Sequence, residues 1–270
     1  MAQPPSPTVL ILAGQRHGRT DPLAAAHGLE HKCLVRLLGR PLIGYVLDAV
    51  DQAFPGAAVI VSINDPRALD DEPEAACLIG EGRLTTVASD RNLLESVYGA
   101  SETAGFPLLI TTGDNVLATG DSLRGLHEYG LSEEADAVAL FARKEDILAA
   151  HPAGQPRFWK FRDGEFSGCN TFWIKDRAAL SVGEIFRGGG QFLKFPKRFI
   201  GAFGLLNLIG FRLRLLGVAR FLDRVSRRFG KRVMVQIARD GRLAIDVDTE
   251  FSHRVAERLL QARAAADGTG

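Results

Sequence analysis

The chain has 270 residues, with 33 Lys and Arg against 32 Asp and Glu, and 46% of its residues are hydrophobic. That length and apolar content support a sizeable buried core and exclude a disordered chain, a collagen-like repeat or a small disulfide scaffold. The net charge of +1 hides an asymmetry: residues 185–232 hold 12 Lys or Arg against one acid, Asp223, and the remainder holds 21 basic against 31 acidic residues.

In chain order, MAQPPSPT has neither a basic n-region nor an apolar h-region, so a secretory signal is not expected. Cys33, Cys77 and Cys169 are scattered and lack metal or disulfide spacing, which points to a reducing cytoplasm. Val9–Leu12 is an apolar run that stops at Gly14 and opens a polar loop to His31. Residues 40–53 place Leu42, Val46, Leu47 and Val50 at helical spacing. Ala57–Ile63 and Leu84–Ala88 read as strands, and Leu93–Glu102 fits a helix. Phe106–Thr111 is a strand broken by Gly113-Asp114-Asn115, and Asp121 is a candidate cap for a helix through Tyr129. Ala135–Phe141 is a further strand. Strands alternating with helices predict an α/β fold with a largely parallel sheet.

Beyond this the pattern changes. Arg157–Arg162 and Glu165–Ile174 flank Asp163-Gly164 and read as a hairpin. Lys231–Ala238 and Arg242–Val247 read as strands around Asp240-Gly241, and Glu250–Ala266 as the last helix. The expected organisation is one domain over 9–263, with loose tails at 1–8 and 264–270. The longest uncharged apolar stretch, Phe199–Phe211, is too short to span a bilayer.

The first loop carries the strongest chemical signal. Leu12-Ala13-Gly14-Gln15-Arg16-His17-Gly18-Arg19 leaves a strand, and Lys32 and Gly39-Arg40-Pro41-Leu42 follow. Glycines at 14 and 18 let backbone N–H groups approach phosphate oxygens. Arg16, Arg19 and Lys32 add charge suited to a triphosphate. Alone, such a loop also reads as a surface turn with solvated cations. The full arrangement resembles the NTP-transferase superfamily, which includes molybdenum-cofactor guanylyltransferase-like and sugar- or polyol-phosphate nucleotidylyltransferase enzymes. The placement of glycine and arginine in 15–19 departs from the commonest family loop. The resemblance implies a Rossmann-like three-layer fold, with Lys32 and either Arg16 or Arg19 on the nucleotide phosphates.

Two acidic positions extend the resemblance. Asp114 follows Gly113 at the end of a strand, where open α/β sheets bind ligands. Asp246-Val-Asp248-Thr249 precedes the last helix, which Thr249 can cap. Each Asp read singly is a turn or cap residue. In their family contexts Asp114 and Asp248 match acids that bind Mg²⁺, and Asp246 is a further candidate. Ser89, Asn92 and Ser96 lie where the family contacts base and ribose. The stretch Arg91-x-x-x-x-Ser96-Val97 resembles cytidylyltransferases of isoprenoid synthesis, a hint of CTP. Ser89 and Ser96 read equally as a helix cap and a packed small residue. Gly168-Cys-Asn170 resembles acceptor-side strands, which makes Lys160, Arg162 and Asn170 candidates for an acceptor phosphate. An ordinary exposed hairpin explains the same charges.

The basic segment 185–232 holds half of the 16 Phe. Val218, Phe221, Leu222, Val225 and Phe229 keep helical spacing, with Arg220, Arg224, Arg227 and Arg228 largely off that stripe. Three readings stay open: a core-completing helix, a peripheral contact with the inner membrane face, or a surface for the acceptor (with Lys194 and Lys197) or for a homodimer. Nucleic acid fits poorly, because no binding motif accompanies the charge. The expected reaction transfers NMP from an NTP, CTP before GTP, to a phosphorylated sugar, polyol or alcohol with release of pyrophosphate and with Mg²⁺ as cofactor. A molybdenum-cofactor-type guanylyltransferase and an inactive nucleotide-binding or membrane-associated relative are the alternatives.

Overall fold

The computed structural model describes residues 6–15, 20–154, 157–186, 200 and 203–267. Strand β1 (Thr8–Leu12) is wholly buried and lies between β4 (Val59–Ile63) and β6 (Leu108–Thr112), parallel to both. Its side chains alternate between faces. Val9 and Ile11 pack with helix α2 (Leu42–Ala53), while Leu10 and Leu12 pack with helix α4 (Leu93–Ala100). Two apolar faces on one strand require helices on both sides, which makes three layers.

The sheet continues from β4 to the edge strand β5 (Leu84–Ala88), also parallel. On the other side of β6 lies β9 (Gly164–Ile174), the reversed strand, then β7 (Ala137–Arg143) and the edge strand β10 (Val233–Ala238). β10 runs parallel to β7, and β8 (Trp159–Phe161) pairs with the start of β9 as a hairpin. A small antiparallel pair, β2 (Arg36–Leu37) with β3 (Arg40–Pro41), leads into α2. The mixed α/β architecture with a mostly parallel sheet matches the sequence expectation.

Helices α1 (Pro22–Ala26), α3 (Pro73–Gly80), α5 (Gly120–Ser132) and α6 (Lys144–Ala150) complete the amino-terminal two thirds. The cap of α5 is Thr119, not Asp121. Thr119 and Ser122 exchange backbone and side-chain hydrogen bonds as a capping box, and Asp121 sits in the first turn. A second correction concerns Arg242–Val247, which is not a strand. Asp240 accepts the Arg242 N–H at 2.9 Å and turns the chain into a short 3-10 helix, Gly241–Ala244. The last helix, α9 (Glu250–Asp267), runs past the start of the expected tail at 264. Thr249 accepts the Ser252 N–H at 3.1 Å and so caps it, as its sequence position suggested.

The described part of the basic segment from Phe203 onward packs on the hairpin. Helix α7 (Leu205–Arg212) and helix α8 (Val218–Phe229) follow one another, and the stripe of α8 points inward. Phe221 and Val225 are buried with Phe161, Phe166, Phe203 and Leu216 in a separate apolar cluster. The core-completing reading therefore holds for α8. No helix among the described residues is long and apolar enough to cross a membrane.

Candidate functional site

The carboxyl ends of β1 and β6 open onto a cleft of about 410 Å³. Ala13, Gly14, Gln15, Lys32, Leu93, Gly113, Asp114 and Asn170 line it. Leu12 ends β1 at its floor, and its carbonyl accepts the Gly113 N–H at 3.0 Å, so the two strand ends are tied together. Gly113 is closely packed, since a Cβ would lie 3.1 Å from that of Ala13 and 3.2 Å from that of Cys33, and these neighbours would have to give slightly. At Gly14 the fit is tighter still: a Cβ would lie 2.5 Å from the Cβ of Ser89. Close packing is thus a second reason for glycine there, beside the approach of backbone to ligand.

Asn64 holds the loop from behind. Its Oδ1 accepts the Gln15 N–H at 2.7 Å, and its Nδ2 donates to the Gln15 carbonyl at 3.0 Å. The Gln15 side chain in turn donates to the Glu30 carbonyl and accepts the Asp21 N–H at 3.2 Å. Gln15 is therefore a staple that shapes the loop. Asn64 directly follows the strand Val59–Ile63. Its pairing with a backbone 49 residues away has no local signal.

The electrostatic centre is Lys32. Its ammonium donates to Asp114 Oδ2 and, at 2.6 Å, to Asp248 Oδ1. Burial alone would lower the Lys32 pKa, but the two carboxylates outweigh it and hold the value above the ordinary lysine range. Lys32 therefore stays charged. Beside it the Cys33 thiol is pushed up to about 12 by burial, with the Asp114 charge adding to it, and stays protonated and unreactive.

Asp246 completes the cluster. Its Oδ2 accepts a hydrogen bond from Asn170 Nδ2 at 2.7 Å. Asn170 reaches it through an irregularity in β9. Three residues of β9, Cys169–Thr171, face a single residue of β7 between the pairs Ala139↔Phe172 and Phe141↔Gly168. Asn170 adopts φ 49° in this bulge, which aims its side chain at the cleft. Burial raises the Asp246 pKa well above the ordinary carboxylate value, and the Asp114 and Asp248 charges push the same way.

The site's capacity for a divalent cation is read from its oxygens. Asp114 Oδ1 and Asp246 Oδ1 are buried and have no hydrogen-bond partner among the described residues. Unpaired buried carboxylate oxygens are costly unless a cation meets them. Among the described residues no three His, Cys, Asp or Glu side chains come together as a group that could hold a metal ion by themselves. The donors present, hard carboxylates at an open cleft, suit Mg²⁺ held partly by protein and partly by substrate phosphates.

The remaining sequence candidates separate into three groups. Ser89 lies behind Gly14, with its hydroxyl buried and unpartnered among the described residues. Asn92 caps α4 by accepting the Glu95 N–H, and the buried Ser96 hydroxyl accepts the Asp90 N–H, so both shape the turn rather than line the cleft. Lys160 and Arg162 are exposed on the β8–β9 hairpin, and neither lines the cleft. Lys160 lies 3.8 Å from Glu165, and the Arg162 N–H donates to the Leu216 carbonyl. Arg16, Gly18, Arg19, Lys194 and Lys197 lie outside the described residues.

Comparison with known proteins bears on the family and the fold. Residues 9–206 match the MobA-like NTP transferase domain. The chain belongs to that family. Among curated protein sequences none matches it. In solved structures, a hypothetical transferase from Thermus thermophilus is 23% identical with a TM-score of 0.72, covering 92% of this chain and 99% of that one. CMP:2-keto-3-deoxy-manno-octonic acid synthetase complexed with CTP is 13% identical with a TM-score of 0.57, covering 95% and 99%. A 4-diphosphocytidyl-2C-methyl-D-erythritol synthase from Anaerococcus prevotii is 12% identical with a TM-score of 0.54, covering 94% and 95%. These structures share the fold of this MobA-like chain.

Proposed function

We propose that this nucleotidyltransferase moves NMP from an NTP, CTP before GTP, onto a phosphorylated small-molecule acceptor and releases pyrophosphate. The observation that carries this reading is the Lys32–Asp114–Asp248 bridge beside Asp246, at the carboxyl end of the strands. The resemblance of Arg91–Val97 to cytidylyltransferases, and the cytidylyl chemistry named for two proteins of the same fold, support CTP.

The acceptor phosphate is already an anion, so attack on the α-phosphorus needs no general base. Catalysis then rests on alignment and charge neutralisation. The Gly14 loop, held by Asn64, would cradle the phosphates. Lys32 would exchange a carboxylate for a phosphate oxygen and stabilise the departing pyrophosphate. Asp114, Asp246 and Asp248 would hold Mg²⁺, which supplies Lewis-acid charge to the same oxygens. Lys160 and Arg162 on the hairpin, with Lys194 and Lys197, would meet the acceptor.

Pyrophosphate release is measured with each of four NTPs against a panel of sugar, polyol and alcohol phosphates. Turnover with CTP and one acceptor class is expected. Asp114→Ala should lower it on the order of a hundredfold or more while leaving the thermal transition cooperative. Undiminished turnover in that variant removes Asp114 from the site. The absence of any turnover and of any nucleotide-induced thermal shift would instead leave an inactive relative.

A further inference from the structure

The turn after α7 reads Arg212-Leu213-Arg214-Leu215, and all four residues are exposed. Leu213 and Leu215, at 62% and 58%, are the most exposed large hydrophobic residues among those described. Ile209, one turn earlier on α7, is 46% exposed. The backbone there is fixed. The Leu215 N–H returns to the Gly210 carbonyl at 2.8 Å, and the Arg214 N–H returns to that of Phe211 at 3.0 Å. This is a Schellman ending, in which glycine is the usual left-handed residue. Here that residue is Arg214, at φ 53°. The chain keeps a charged side chain where local conformation favours none.

Beneath the turn the helix is anchored. Phe211 lies against Phe161 at 5.3 Å and Trp159 at 5.6 Å between ring centroids. The leucines therefore project from a firm base and are not part of an incomplete core. Arginine predominates around them, and the nearby acids among the described residues are Asp163, which accepts the Val218 N–H at 3.1 Å, and Glu165. Arg212 and Arg220 are exposed and make no ion pair among the described residues. Arg214 reaches only to 3.8 Å from Glu165, which already receives Lys144 at 2.8 Å. In sequence, 185–232 offers Asp223 as its single acid.

We infer that this tip docks the protein on an anionic lipid surface, with Leu213, Leu215 and Ile209 entering the headgroup–acyl boundary and Arg212, Arg214 and Arg220 meeting the headgroups. Both halves of the patch are satisfied by such a surface. A second copy facing the same patch through a two-fold axis would set arginine against arginine. Without a spanning helix among the described residues, the contact is peripheral. The inference stands apart from the nucleotidyl reading and does not need it.

The test is flotation of the full chain with vesicles of phosphatidylcholine alone and of phosphatidylcholine with phosphatidylglycerol, at low and high salt. Binding is expected only to the anionic vesicles and should weaken as salt rises. A double variant, L213S/L215S, should lower the partition coefficient about tenfold or more. Arg212→Gln with Arg220→Gln should lower it and flatten the salt dependence. Arg214→Gly should weaken binding while the thermal midpoint holds or rises, because glycine relieves the left-handed residue. These positions are exposed, so circular dichroism and the midpoint should report a native fold in every variant. The proposal falls if the full chain ignores anionic vesicles, or if L213S/L215S binds them as well as the original chain. It also falls if the leucine variant dissociates a dimer while no vesicle binding is seen, since the patch then serves a second copy.

Discussion

Lys32 shows how single residues set the resting charge of the cleft. Two carboxylates hold one ammonium with Asp246 beside them, and among the described residues one oxygen each of Asp114 and Asp246 has no partner. Asp246 is the group most sensitive to that balance, because burial and its acidic neighbours raise its pKa. Below the raised value the carboxyl holds a proton, which must leave before the oxygen can ligate a cation. Mg²⁺ affinity should therefore rise with pH, by at most about tenfold per pH unit for one proton. Titration calorimetry in buffers of differing ionisation enthalpy should show proton release, and Asp246→Asn should abolish it. Equal heats in all buffers would contradict this. Gly14 gives a second residue-scale expectation. Gly14→Ala should cost about 1–3 kcal/mol in urea unfolding, because the new methyl meets Ser89. Adding Ser89→Gly should recover most of that. The meeting of Gly14, Lys32, Asp114 and Asp248 at one cleft was legible because each stands in a short motif with recognisable neighbours. Asn64 was not, because its contact spans 49 residues.

Elements were legible in proportion to their periodicity. Helix α8 was anticipated from its apolar stripe, and its structure explains the stripe: Phe221 lies 5.5 Å from Phe161 and 5.1 Å from Phe203 between ring centroids. Phe221→Ala should cost about 3–5 kcal/mol, which differential scanning calorimetry would register as a large drop in midpoint. A shift as small as that of a surface substitution would mean that the cluster contributes little to the fold. Local hydrogen bonds defeated the pattern elsewhere. Asp240 turned an alternating apolar run into a 3-10 helix, and Thr119 took the cap for which Asp121 was the sequence candidate. In both cases a short polar side chain competed with the regular ladder, which hydrophobic spacing does not report.

At the scale of the whole molecule, the mixed sheet was visible as alternating strands and helices. The reversal of β9 was visible only as a change of rhythm after residue 150. The charge split of the sequence also acquires a place. Among the described residues the cation of the cleft is Lys32, and the described part of the basic segment packs on the hairpin at the β10 side of the sheet. One feature ties these regions together and also separates them. The bulge at Cys169–Thr171 divides β9 into two runs with different registers against β7. Slippage of a regular strand by one residue would turn every side chain over. Here the irregularity works as an expansion joint. The hairpin and its helical cover can lengthen, shorten or exchange sequence on one side of it, while Phe172–Ile174 keep their pairing with Leu108–Ile110 on the other. A fold with such a joint can acquire new outer parts without retuning the chemistry beneath them.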